Sequence, residues 1–217
     1  LVEKLIENKS QIKVVYPGAN DLRSLESDKF LKIKGSPVIL TLARLLKRKG
    51  HIFILNALQR LKNEFPKIKY IIAGEGNEEA KLQMLVKEYN LQEHVLFTGK
   101  VNEQQKKHLF ENTTLMVMPT LDESHNHSIE GFGIVYIEAA FFGIPSVATN
   151  IGGTPEAVLQ DNTGIIIDNH EQLFQALYDI LLNKTKLMHL GEKARERAEK
   201  LFTWDKVVNN YLATIEF

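Results

Sequence analysis

The stretch Ser128-Ile129-Glu130-Gly131-Phe132-Gly133-Ile134-Val135-Tyr136-Ile137-Glu138-Ala139-Ala140 places two carboxylates eight positions apart around a glycine-flanked loop. If a helix begins near Gly133, Glu130 precedes its amino terminus and Glu138 lies over a turn inside it. The two acids are then very roughly 10 Å apart, at about 1.5 Å of rise per residue, close to the span from a sugar to a ribose across a diphosphate. Phosphates lying between them would meet the free amides of the helix start and the positive end of its dipole. Each acid also has an ordinary role open to it, Glu130 as a helix-capping carboxylate and Glu138 as a helix surface residue.

A second candidate follows the apolar run Val38–Leu42, where Ala43-Arg44-Leu45-Leu46-Lys47-Arg48-Lys49-Gly50 forms a cationic loop. Two cations held there could clamp a diphosphate and stabilise the charge that grows on it as a bond to sugar breaks. A basic surface loop explains the same residues. Gly74-Glu75-Gly76-Asn77 follows Lys69–Ala73, and its glycines could let the backbone approach a ligand. It lacks the third glycine of a dinucleotide-binding fingerprint, because Glu79 stands in that place, and a simple strand-to-helix turn accounts for it as well. Asp122, Glu123, His125 and His127 are metal-ligand types. A polar loop satisfies them without an ion and no paired-histidine helix motif accompanies them, so no metal is expected.

The elements that would carry these residues alternate. Short runs rich in Val and Ile predict strands at Ile12–Tyr16, Val38–Leu42, Lys69–Ala73, Val95–Thr98, Leu115–Met118, Ser146–Ala148 and Gly164–Ile167. Most lack in-out alternation, as strands buried on both faces do. Helical spacing covers His51–Glu64, Glu78–Tyr89 and Glu103–Phe110, and a helical tail spans Glu171–Leu182, Lys186–Leu201 and Asp205–Ile215. The pattern predicts one α/β domain built on a doubly wound parallel sheet of Rossmann-like type. In such sheets ligands bind beyond the carboxyl ends of the strands, where the loops above fall. The mixed charges Lys193, Arg195, Glu196, Arg197, Glu199 and Lys200 are expected to form a solvated face.

The 27 basic and 27 acidic side chains cancel, so the field that draws a protein to nucleic acid is missing. With no cysteine, disulfides and thiolate metal sites are excluded, which is compatible with a cytoplasmic protein. No apolar run approaches the roughly 18 to 20 residues needed to cross a bilayer. The chain starts at Leu1 with a short amphipathic piece that reads as the end of something larger.

From Arg44 to about Glu156 the sequence resembles the carboxyl-terminal domain of the retaining glycosyltransferases of family 4, which have the GT-B fold of two facing Rossmann-like domains. The resemblance rests on an ordered set: Pro17-Gly18-Ala19-Asn20, Arg44 with Lys49-Gly50, Gly74-Glu75-Gly76, Phe97-Thr98-Gly99, Glu130-Gly131-Phe132-Gly133, Glu138-Ala139, Gly143-Ile144-Pro145 and Gly152-Gly153-Thr154-Pro155-Glu156. It implies that Arg44 and Lys49 bind the diphosphate of a nucleotide-sugar donor, that Glu130 contacts the transferred sugar, and that these three carry catalysis. It implies further that Glu138 binds the ribose hydroxyls, and that Gly131, Phe132, Gly133 and Ile134 offer backbone groups to sugar and phosphate. Gly74 and Gly76 would border the donor, and Lys100 and Val101 would lie against the base.

Members transfer a sugar with retention and need no metal or other cofactor, the nucleotide sugar being substrate. The resemblance makes residues 1–217 the donor-binding half, inactive alone, with polysaccharide or glycolipid biosynthesis as its setting. The amino-terminal acceptor half would be its partner and the only route to peripheral membrane association. The final helix resembles one that packs back across the interdomain hinge and is expected to expose apolar area in isolation. Ala43 replaces the more common glycine before the arginine, and the loop Asp122–His127 is longer and more polar than in many members. A nucleotide-sugar 2-epimerase and a non-catalytic doubly wound binding module are the alternatives.

Overall fold

The computed structural model describes residues 13–126 and 128–215. Six strands, β1 (Val38–Leu42), β2 (Lys69–Ala73), β3 (Val95–Gly99), β4 (Leu115–Met118), β5 (Ser146–Thr149) and β6 (Gly164–Ile167), form one sheet in the order β3-β2-β1-β4-β5-β6. Every pairing is parallel. Between them run α1 (His51–Glu64), α2 (Glu79–Glu88), α3 (Glu103–Glu111), α4 (Ile134–Phe141) and the short α5 (Thr154–Ala157). After β6 come α6 (Leu173–Leu182), α7 (Lys184–Leu201) and α8 (Trp204–Ile215).

Both faces of the sheet are covered, so the central strands carry mostly apolar side chains on either face. Ile39, Leu115, Val117 and Val147 pack under Ile54, Leu58, Leu82 and Leu177 of α1, α2 and α6. Their neighbours Leu40, Met116, Met118 and Ala148 point the other way, into Leu109, Ile137, Phe141, Ala194 and Ala198 of α3, α4 and α7. Double burial is why these strands read as continuous apolar runs.

The sequence expectation differs from the structure in three places. Of the strand expected at Ile12–Tyr16, Ile12 lies outside the described residues and Lys13–Tyr16 carries no strand. Tyr16 instead stacks on Phe132 at 5.5 Å between ring centroids. The Glu171–Leu182 helix is divided, a tight turn at His170–Gln172 capped by Asn169 preceding α6. Along α7 the mixed charges are solvated except at Arg197. Its guanidinium donates to the carbonyls of Ala157 and Glu156 at 2.8 and 2.6 Å and lies 4.7 Å from the Phe202 ring centroid. Trp204, Val208, Tyr211 and Ile215 form an exposed apolar face on α8, as expected.

A polar chain crosses the core beneath the cationic loop. The Tyr70 hydroxyl donates to Thr41 Oγ1 at 3.0 Å, and Thr41 donates to the Val117 carbonyl. Tyr70 has one proton to give, so its oxygen accepts from His51 Nδ1 at 3.0 Å. Burial pushes the His51 imidazole down to about 4, whereas an unfolded histidine titrates near 6.5. Between those values the unfolded chain binds a proton that the native protein does not, so stability is full above about pH 6.5 and declines as pH falls toward 4. We expect urea unfolding to show a loss of about 3 kcal/mol across this window from His51 alone. His51→Gln should flatten that part of the profile, and an unchanged slope in the variant would count against the assignment.

Candidate functional site

The strand order reverses between β1 and β4. From β1 the chain crosses toward β2 on one face, and from β4 it crosses toward β5 on the other. The connections therefore part company there and leave a crevice beyond the carboxyl ends of the two strands. Both candidate loops open onto it.

The cationic loop is drawn to the β4 side by backbone contact. Leu121 N donates to the Arg48 carbonyl at 2.7 Å. Gly50, at φ 72°, lies so close to the Pro119 carbonyl that any Cβ would collide with that oxygen. This approach brings Lys49 and Arg48 onto one carboxylate oxygen, Glu130 Oε2. Lys49 Nζ is in direct contact with it, and Arg48 Nη1 is 2.9 Å away. All three side chains are 8 to 11% exposed, so screening by solvent is weak. Burial acts to raise the Glu130 carboxyl, but Lys49 and Arg48 outweigh it and hold the group below its ordinary range. At Lys49 burial wins over Glu130 and pushes the ammonium down, with Arg48 and Arg44 adding like-charge repulsion. Two cations facing one acid favour the carboxylate and leave the cluster with surplus positive charge.

Arg44 projects from the same loop but is exposed and makes no ion pair among the described residues. The expected pair Arg44 and Lys49 is thus divided, Lys49 locked on Glu130 and Arg44 exposed to solvent. Arg48 was not anticipated, because a basic side chain in a basic loop carries no mark of burial.

The loop bearing Glu130 is seated on the turn after β5. Gly153 N donates to the Glu130 carbonyl at 3.0 Å. A Cβ on Gly152 or Gly153 would fall on the carbonyl oxygens of Glu130 or Gly131, so the paired glycines permit this approach. Phe132 is wedged between Tyr16 and Phe202, 5.5 and 5.7 Å away by ring centroids. Gly133 turns the chain into α4 at φ 83°. The Tyr136 amide turns back to the Gly133 carbonyl at 2.9 Å, the amides of Ile134 and Val135 have no residue of α4 before them to accept, and Ile134 is 44% exposed.

Glu138 sits in the second turn of α4. It is not the surface residue that remained open from the sequence, since its side chain is 10% exposed and paired with Lys106 of α3 at 2.8 Å. Lys106 was also not anticipated, its partner being 32 positions away. The glycines of Gly74-Glu75-Gly76 abut the cationic loop. Added Cβ atoms would strike the carbonyls of Ala43 and Leu45, and Leu45 N donates to Glu75 O at 2.9 Å. They shape the loop that holds Arg44. Lys100 is exposed just beyond β3, and Val101 packs among the apolar residues on the α3 and α4 face. In the polar loop, Asp122 caps Ser124 N at 2.8 Å, and His127 lies outside the described residues. Among the described residues no three His, Asp or Glu side chains converge as a metal set would. No helix among them is long and apolar enough to cross a membrane.

A doubly wound sheet of this order, with helices on both faces and a helical carboxyl-terminal segment, is the Rossmann-like unit of GT-B glycosyltransferases. Residues 23–197 match the family described as glycosyl transferases group 1, and the chain belongs to that family. Among its relatives is a GDP-mannose-dependent alpha-(1-6)-phosphatidylinositol monomannoside mannosyltransferase of Mycolicibacterium smegmatis. It is 31% identical over 170 residues, which are 77% of this chain and 44% of the relative, so the chain spans less than half of that protein. Anabaena HepE, solved with UDP and glucose, superposes with a TM-score of 0.71 at 21% identity, over 82% of this chain and 47% of that one. The C-terminal domain of a group 1 family glycosyl transferase from Francisella tularensis superposes with a TM-score of 0.69 at 19% identity, over 88% of this chain and 97% of that one.

Proposed function

We propose that this chain is the donor-binding, carboxyl-terminal half of a retaining glycosyltransferase that moves a hexosyl group from a nucleoside-diphosphate sugar. The observation that carries the proposal is the surplus of positive charge at the switch point, where Arg48 and Lys49 share the single carboxylate of Glu130 and Arg44 adds like charge beside Lys49. A diphosphate beside the open amides of α4 supplies the missing negative charge. As the bond to sugar breaks, charge grows on the leaving phosphate, and cations already fixed in place stabilise it without reorganising. Glu130 then faces the sugar and Glu138 the ribose, while Lys100 and Val101 border the base.

The share of its relatives that the chain spans supports an amino-terminal partner half holding the acceptor. On this view the chain alone binds donor and turns nothing over, and any membrane contact belongs to the other half. A cytoplasmic setting is part of the same proposal. Calorimetric titration with uridine, guanosine and adenosine diphosphates tests it, with weak, saturable binding of at least one as the expected result. Folded protein that binds none of the three would overturn the proposal.

A further inference from the structure

Two buried carboxylates flank the start of α4 and each is met by a lysine, but the two pairs are built differently. Glu130 shares two cations through one oxygen. Glu138 meets Lys106 alone, Oε1 receiving the bond at 2.8 Å, and among the described residues Oε2 has no hydrogen-bond donor. We infer that Lys106 is a positioning residue that fixes Glu138 as a one-sided hydroxyl acceptor, and so sets the preference for a nucleotide with an intact ribose. The inference rests on the proposed placement of the ribose at Glu138.

The physical need is plain. A carboxylate that is 10% exposed and lacks a fixed partner turns toward whatever donor is near, and the lone pairs it gives up are lost to a ligand. An ammonium on Oε1 removes that escape and leaves the lone pairs of Oε2 for a diol. Lys106 is itself held. Its helix starts in a capping box, with Gln105 N donating to Asn102 Oδ1 at 2.9 Å and Asn102 N to Gln105 Oε1 at 3.1 Å. The next residue, Lys107, ties the helix to the carbonyl of Leu25 at 2.7 Å. A lysine needed only for packing would not require this fixed origin, nor a partner whose second oxygen is spare.

The test compares the tightest-binding nucleoside diphosphate with its 2′,3′-dideoxy form, using this chain, Lys106→Met and Lys106→Arg. The unaltered chain should lose about 10- to 100-fold in affinity for the dideoxy form, as expected for hydrogen bonds to a charged group. Lys106→Met should bind the two forms within about threefold of each other while holding inorganic pyrophosphate as before, and Lys106→Arg should restore the preference. If Lys106→Met does not fold, Lys106→Gln, which keeps a donor without the charge, carries the same comparison. Full preference in the neutral variant overturns the role of Lys106 and leaves Glu138 as the ribose acceptor. No preference in the unaltered chain overturns both.

Discussion

Replacing Arg44 and Lys49 together by alanine should weaken nucleoside diphosphate binding by about 100-fold or more, since two charge-assisted contacts are lost and each contributes about 1.5 to 3 kcal/mol. The structure separates this loss from unfolding. Arg44 is exposed and makes no ion pair among the described residues, so its removal leaves the fold as it was. Without Lys49, Glu130 still has Arg48 at 2.9 Å and is not stranded. Chemical unfolding should therefore report a modest change while calorimetry reports a large one. Affinity retained in a folded double variant would refute the assigned clamp.

What was legible in the sequence follows from where the physics is local. The strands at Val38, Lys69, Leu115 and Gly164 have the boundaries their apolar runs predict, because burial on both faces selects apolar side chains and admits a polar one, as at Thr41, only where it is hydrogen-bonded. The start of α4 was legible because glycine before an apolar helical run announces a turn that other residues adopt with strain. Partners were not legible. Nothing near Lys106 in the chain points to Glu138, and Arg48 resembles its solvated neighbours Lys47 and Arg44 until the fold brings Glu130 to it. The glycines of Gly74-Glu75-Gly76 and Gly152-Gly153 were recognised by position, but their packing against neighbouring carbonyls depends on loops that only the sheet order brings together. Lys13–Tyr16 misled for a related reason, Tyr16 serving an aromatic contact with Phe132 and Phe202 rather than a strand.

Glu130→Gln should split stability from anion binding in a way that no simple structural role of the acid would. The substitution keeps size and shape but leaves Lys49 and Arg48, 11 and 8% exposed, without a counter-charge. Breaking a buried pair on one side costs several kcal/mol, and urea unfolding should show a loss of about 3 kcal/mol at neutral pH. The Lys49 ammonium, already pushed down by burial, falls further once Glu130 is neutral. A folded-state value below the unfolded one means that the unfolded chain binds more protons in the interval between them. The deficit should therefore shrink as pH rises toward the ordinary lysine range. Meanwhile the cluster that faced one carboxylate faces none, and an anionic ligand becomes its only counter-charge. Nucleoside diphosphate should bind several-fold tighter to the variant than to the unaltered chain, and saturating ligand should return part of the lost stability. Weaker binding in the variant would mean that Lys49 and Arg48 are there to hold Glu130 rather than to meet a phosphate, and the charge argument for a donor site would fail at its first step.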